Sequence, residues 1–93
     1  MDTQNVNLVA KGDSLAVKPG ERVVVGAKQL RKALNRGIAK RVFLARNADP
    51  AITEPLEAMC KEHRVKCVWV KSMNDLGQAC GIEVGAAAAA VIS

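Results

Sequence analysis

Aromatic side chains are nearly absent from this sequence, which has one Phe, one Trp and no Tyr among its 93 residues. Hydrophobic residues nevertheless make up 49% of the chain. The core therefore has to be built from Val, Ile, Leu and Ala. A chain of this length is expected to form a single domain of modest size.

Long apolar runs are also missing. No run approaches the roughly 20 residues that are needed to span a bilayer, and the longest run of small and apolar residues extends only from Gly85 to Ile92. The N-terminus has neither the basic start nor the apolar stretch of a signal peptide. We therefore expect a cytoplasmic protein that makes no membrane contact.

Cysteine is too sparse and too irregularly spaced for a disulfide framework, because the chain has three Cys and no Cys-x-x-Cys pair. Cys60, His63, Cys67 and Cys80 are candidate ligands for a zinc site, but their spacing fits no common zinc motif. The simpler interpretation is that the thiols are small buried hydrophobic groups. We expect no metal and no cofactor.

Acidic residues are absent from residues 22–46, although the same window holds eight basic side chains. The rest of the chain has six basic and nine acidic residues, so nearly all of the net charge of +5 arises from this one segment. A concentrated patch of one sign attracts polyanions. The alternative is a solvated basic face without a partner. The eight residues are Arg22, Lys28, Arg31, Lys32, Arg36, Lys40, Arg41 and Arg46.

The sequence predicts strands and helices that alternate along the chain. Short β-branched or apolar runs predict strands at 23–25, 41–45 and 66–70. Apolar spacing and capping residues predict helices at 27–36, from Pro50 to about Glu62, and from Ser72 to Gly81. Asp49 is the predicted N-cap of the second helix, and Thr53 is the alternative for a later start.

The alanine run is ambiguous in sequence. Five consecutive Ala favour a helix by intrinsic propensity, but a central strand covered on both faces has the same composition. The run is short, lies between Gly85 and Val91-Ile92, and is more consistent with a strand. We therefore predict a fourth strand at 86–92.

The fold class that follows is α/β, a three-layer α-β-α sandwich with a four-stranded mixed sheet. We assign residues 21–93 to this domain and residues 1–20 to an N-terminal extension of uncertain structure. Lys18-Pro19-Gly20-Glu21 predicts a β-turn. Residues 15–17 then either form a hairpin with 22–25, or residues 3–11 form a short helix packed on the sheet.

The first helix carries the clearest chemical pattern. Lys28, Arg31, Lys32 and Asn35 have the spacing i, i+3, i+4, i+7, so they share one face. The start of the helix offers free backbone N–H groups, and Gly26 has no side chain to block an approaching phosphate. Lys and Gln side chains also suit the acceptor edges of purines.

A second pattern follows the third predicted helix, where Ile82 and Val84 flank Glu83. Two exposed β-branched residues in a loop can cover an unstacked nucleotide by apolar contact. The alternative is that both side chains enter the core.

Four ordered motifs resemble a known family. They are Gly26-Ala27-Lys28-Gln29-x-x-Lys32-Ala33, Arg36-Gly37-x-Ala39-Lys40-x-Val42, Ala48-Asp49-Pro50, and Leu76-Gly77-x-Ala79-Cys80-Gly81-Ile82-Glu83-Val84. This set is similar to the kink-turn-binding ribosomal proteins, the group of the archaeal large-subunit protein "L seven Ae" and its short bacterial paralogues. The resemblance covers residues 22–92.

The resemblance implies a monomeric protein that binds a kink-turn, an RNA stem with a three-nucleotide bulge and tandem sheared G·A pairs. The RNA could be ribosomal, a riboswitch or another non-coding RNA, and the ribosome is an implied partner. Archaeal members have Asn-Glu where this chain has Lys28-Gln29, which shifts this position toward phosphate attraction. The predicted RNA-binding residues are Gly26, Ala27, Lys28, Gln29, Arg31, Lys32, Arg36, Ile82, Glu83 and Val84.

Catalytic motifs are not found in the sequence, so we expect a binding protein rather than an enzyme. Two rival hypotheses remain open. One is a structural ribosomal protein that acts mainly through protein contacts. The other is an accessory RNA-binding domain for an RNA-modifying enzyme.

Overall fold

The computed structural model describes Leu15 and residues 17–93. This part of the chain forms four strands and three helices, which alternate throughout. In chain order they are β1 (Arg22–Val25), α1 (Ala27–Arg36), β2 (Ala39–Ala45), α2 (Pro50–His63), β3 (Lys66–Val70), α3 (Met73–Ala79) and β4 (Ala88–Ile92).

The four strands form one mixed sheet in the order β1-β4-β2-β3. Strand β4 is antiparallel to β1 and to β2, whereas β2 and β3 are parallel. Strands β1, β2 and β3 therefore run in the same direction, and β4 starts where the other three end. We call this end of the sheet the carboxyl edge.

Helices cover both faces of the sheet, which confirms the predicted three-layer α-β-α fold class. Helices α1 and α2 pack on one face, where Leu30, Leu34 and Leu56 meet alternate residues of β2 and β4. Helix α3 packs on the other face with Leu76, and Leu15 joins the same cluster. Alternation of side chains along each strand divides the core in this way.

The alanine run is a central strand, as predicted. All five residues of β4 are buried, because α1 and α2 lie over Ala88 and Ala90 while the α3 side covers Ala89. The strand begins at Ala88 rather than at the predicted Ala86, whose N–H instead donates to the Met73 carbonyl at 3.0 Å.

Strand β2 starts two residues before the predicted Arg41. Ala39 pairs with Ile92 beyond an irregularity in the register of β2 and β4. This pairing extends the strand into a segment whose Ala39-Lys40 sequence gives no strand signal of its own.

Side-chain caps set the starts of α2 and α3. Asp49 Oδ1 accepts a hydrogen bond from the Ala51 N–H at 2.9 Å, so the alternative start at Thr53 is wrong. Ser72 Oγ accepts from the Asp75 N–H at 3.1 Å. Each cap satisfies a backbone donor that the helix itself leaves free.

The predicted β-turn before β1 is formed. The Glu21 N–H donates to the Lys18 carbonyl at 2.9 Å, and Gly20 has a φ of 86° that favours glycine. The hairpin alternative is not supported by Leu15 and Val17, which are not in a strand. The alternative helix at 3–11 lies outside the described residues.

An ion pair ties this turn to the sheet. Arg41 donates to Glu21 Oε1 at 3.0 Å, and the same oxygen accepts from the Lys18 N–H at 3.1 Å. The Lys18 N–H first, and then the Arg41 guanidinium, hold the pKa of the Glu21 carboxyl below its usual value. Arg41 thus contributes to the fold, and its charge is not available to the exposed basic surface.

Candidate nucleic-acid interface

Helix α1 has two distinct faces, as the sequence predicted. Leu30, Ala33 and Leu34 are buried against the sheet and α2. The basic face is exposed to solvent and consists of Lys28, Arg31, Lys32 and Asn35. The first turn contains no acidic side chain, so no intrahelical carboxylate there neutralises these charges.

The start of α1 is open to a ligand. Gly26 occupies the N-cap position with a φ of 104°, and no side chain caps the helix. A Cβ built on Gly26 would meet no atom within 4 Å. The first backbone N–H groups of α1 therefore have no side-chain cap and lie at the positive end of the helix dipole, an arrangement that favours phosphate binding.

A groove of about 160 Å³ runs between α1 and β1. Gln29, Lys32 and Arg36 line it from the helix, and Arg22 lines it from the strand. Apolar residues complete its lining, namely Val24, Ala33, Ile38 and Ile92. The groove therefore has three cationic side chains and no acidic one.

The loop between α3 and β4 presents one strongly exposed apolar side chain. Val84 is 69% exposed, the highest value among the large hydrophobic residues that the structure describes as exposed. Glu83 is also exposed, whereas Ile82 is half-buried and packs against the α3 cluster. The alternative, that both side chains enter the core, is therefore correct in part for Ile82 and wrong for Val84.

Close packing on α3 holds this loop in place. A Cβ on Gly77 would overlap the carbonyl oxygen of Val84, and a Cβ on Gly85 would lie 3.1 Å from the Met73 Cβ. The Ile82 N–H also donates to the Gly77 carbonyl at 3.0 Å. Glycine at position 77 is therefore what lets the loop backbone approach the helix.

The helix start and the loop meet at the carboxyl edge. The Gly26 N–H donates to the Ala88 carbonyl at 2.8 Å, and the Ala45 N–H donates to the Ala87 carbonyl at 3.0 Å. These bonds connect the end of the loop to the ends of β1 and β2. Of the predicted site residues on this segment, Gly26 lies next to the end of the loop, while Arg36 is the last residue of α1.

Four polar residues near the predicted site were not recognised from sequence. Arg22 lines the groove beside α1. Arg46 and Lys71 are exposed and directly follow β2 and β3 at the carboxyl edge. Asn47 Oδ1 accepts from the Met73 N–H at 2.8 Å and so links that edge to α3. Only Arg22 and Arg46 had a sequence signal, as members of the basic window, because the other two depend on tertiary adjacency.

The cysteines do not converge on one site. Cys60 and Cys67 pack together under α2, where Cys67 and burial raise the pKa of the Cys60 thiol. Cys80 packs on the opposite face of the sheet. Within Leu15 and residues 17–93, no group of three or more His, Cys, Asp or Glu residues could hold a metal ion. In the same part of the chain no helix is both long enough and apolar enough to cross a membrane.

An α-β-α fold with an open basic helix start beside an apolar loop is the arrangement of a small protein that binds a polyanion. Comparison with known proteins identifies the family. Residues 8–93 match the model of the Ribosomal protein L7Ae/L30e/S12e/Gadd45 family, and the chain belongs to that family.

Particular relatives are similar over most of the chain. An RNA-binding protein of Bacillus pumilus (strain SAFR-032) is 43% identical over 76 residues, which are 82% of this chain and 93% of the relative. The RNA-binding protein YbxF of Geobacillus stearothermophilus is 44% identical over 71 residues, covering 76% and 87% of the two chains.

A solved structure supports the same assignment. The Giardia lamblia 15.5kD RNA binding protein has a TM-score of 0.73 and 34% identity, and the match covers 77% of this chain and 61% of that one. This chain thus spans less than two thirds of the Giardia protein. The predicted family and fold class are both confirmed by these comparisons.

Proposed function

We propose that this chain is a non-enzymatic RNA-binding protein that recognises and stabilises kink-turns. The observation that carries the proposal is the hydrogen bond from the Gly26 N–H to the Ala88 carbonyl. Because of this bond, an uncapped basic helix start and an exposed apolar loop lie at one edge of the sheet. The relatives named as RNA-binding proteins support the RNA-binding part of the proposal.

The helix start would supply the polar contacts. Free N–H groups in the first turn of α1 would bind phosphate, which Gly26 leaves room to approach. Gln29 and Lys32 would reach the base edges of the sheared G·A pairs. Lys28, Arg31 and Arg36 would attract the backbone on either side. Ala27 is half-buried against the core, so its part would be limited to the backbone.

The loop would supply the apolar contact. Val84 would cover the flipped-out bulge nucleotide, because it is exposed and its backbone is held against α3. Ile82 would support the loop from below, since it packs on the α3 cluster. Glu83 is exposed beside Val84 and would accept a hydrogen bond from the same nucleotide.

Binding to only one RNA conformation would stabilise the kink. A protein that prefers the bent form shifts the population of free RNA by no more than its differential affinity for the two forms. We place the natural target among ribosomal and other structured non-coding RNAs.

Alanine substitutions at Gln29 and Lys32 test the proposal. Each should weaken binding to a fluorescently labelled kink-turn stem by about 1–3 kcal/mol, the usual effect of losing one good base contact. Lys61 is a matched control, because it is also exposed on a helix but lies in the last turn of α2, outside the proposed surface.

The measurement is the change in end-to-end fluorescence transfer as protein is added. The proposal expects Lys61→Ala to match the unaltered protein and the two α1 variants to require more protein. Equal behaviour of all three variants would show that α1 does not contact the RNA.

A further inference from the structure

Two exposed cations outside the predicted site lie side by side at the carboxyl edge. Arg46 follows the last residue of β2, and Lys71 follows the last residue of β3. Ala45 and Val70 are partners in the parallel register, and the Arg46 N–H donates to the Val70 carbonyl at 2.8 Å. We call these two residues the edge pair.

The edge pair has no anionic partner in the part of the chain that the structure describes. Among Leu15 and residues 17–93, neither Arg46 nor Lys71 forms an ion pair. Like charges on neighbouring strands repel each other, so an external anion between them would be stabilised by both. The nearby Asp49 carboxylate is engaged as the cap of α2.

The backbone that carries the edge pair is well anchored. Besides the Arg46 N–H bond, the Ala48 N–H donates to the Ala45 carbonyl at 3.2 Å. Asn47 accepts from the Met73 N–H at 2.8 Å and joins this loop to α3. The two cationic side chains therefore extend from a positioned backbone, which reduces the entropy lost on binding.

The position of the edge pair relates it to the proposed site. Strands β1 and β3 are three neighbours apart in the sheet, so Lys71 lies roughly 14 Å along the edge from Gly26. Arg46 lies between them, at the end of β2. An RNA duplex bound at the start of α1 and extending along the edge would pass over both cations.

We propose that the edge pair binds the phosphate backbone of an RNA arm that continues beyond the kink. The proposal rests on the proposed function, because it requires a kink-turn at the start of α1. The added contact would depend on the length of the RNA arm and not on the kink or the base sequence, since phosphate contacts carry no base information.

The chain provides a matched control at the opposite end of the same two strands. Lys40 and Lys66 are both exposed. They lie on neighbouring strands, because Arg41, which follows Lys40, is the register partner of Lys66. Six residues of strand separate Lys40 from Arg46, which is roughly 20 Å. That distance is more than twice the screening length of about 8 Å at physiological salt.

The test compares two double variants, Arg46→Gln with Lys71→Gln and Lys40→Gln with Lys66→Gln. Both remove two positive charges, and neither removes a backbone hydrogen bond. Fluorescence anisotropy across a salt series would measure binding to two RNAs with the same kink, one with long arms and one with arms trimmed to the minimum that folds.

The edge-pair variant should bind the long-armed RNA several-fold more weakly and should lower the slope of log affinity against log salt by about two, one for each phosphate contact. It should bind the trimmed RNA as the unaltered protein does, and the control variant should bind both RNAs normally. Equal losses on the two RNAs, equal losses for the two variants, or no loss at all would overturn the proposal.

Failure of the proposed function has a different signature. In that case the unaltered protein would itself bind a kink-turn no better than a fully paired duplex of the same length. If it prefers the kink-turn and the edge-pair variant shows no arm-dependent loss, only the edge-pair proposal fails.

Discussion

Individual residues of the proposed site differ in what they can contribute. Lys28 and Gln29 are exposed, so their side chains are free to reach RNA, whereas Ala27 is half-buried and offers only its backbone. In the loop the same distinction separates exposed Val84 from half-buried Ile82. The sequence pattern identified both segments but could not rank their members, because exposure depends on how α1 and α3 pack.

Gly77 is the residue whose substitution should report most clearly on the loop. In Gly77→Ala the new methyl group would overlap the Val84 carbonyl oxygen, so the loop would have to move. We expect a loss of about 1–3 kcal/mol of stability, as for other overpacked sites, together with weaker RNA binding. Chemical denaturation measures the first effect and RNA titration the second.

Asn74→Ala is the control for that experiment, because Asn74 is exposed on the same helix. It should leave both stability and binding close to those of the unaltered protein. If Gly77→Ala were as stable and bound RNA as well as this control, the loop would not depend on close approach to α3.

The helices and strands were largely predictable from sequence. Apolar spacing and capping residues located the helices correctly, since Asp49 and Ser72 satisfy backbone donors locally. Strand ends were less predictable. Ala39 joins β2 only because Ile92 pairs with it, and such a contact between distant residues leaves no local signal.

The central position of β4 in the sheet explains why its first three residues are alanines. At Ala88, Ala89 and Ala90 the two neighbouring strands and the helices on both faces leave no exposed surface, so a larger side chain there would have to displace its neighbours. Ala90→Leu should therefore cost about 1–3 kcal/mol through overpacking under α1 and α2, measured by denaturant unfolding.

Ala58→Leu is the matched control, because Ala58 is exposed on α2. The same substitution there adds the same atoms without confining them, so stability should change little. Equal stability of the two variants would contradict the close packing of β4.

The whole molecule brings together features that are far apart in the chain. The starts of α1 and β4 meet through the Gly26 and Ala88 hydrogen bond, and the ends of β2 and β3 add Arg46 and Lys71 to the same edge. The clustered charge and the family motifs predicted a role for the start of α1 and for the loop before β4. The edge pair could not be predicted, because its two members become neighbours only through parallel pairing.

The fold also separates basic residues that are close together in the sequence. The basic window 22–46 contains Arg41, which is paired with Glu21, and Lys40, which lies at the opposite end of the sheet from Arg46. Only part of that window therefore belongs to the proposed RNA surface. The predicted boundary at residue 20, the monomeric state and the cytoplasmic location stay predictions.

Recognition of the kink itself is the central claim, and one comparison of two RNAs tests it most directly. The protein would be titrated into a kink-turn stem and into the same stem with its G·A pairs replaced by Watson–Crick pairs, at one fixed salt concentration. Our account predicts tight binding and bending of the first stem and only weak, salt-sensitive binding of the second. Equal affinity for the two stems would contradict kink-turn recognition and leave only general RNA binding.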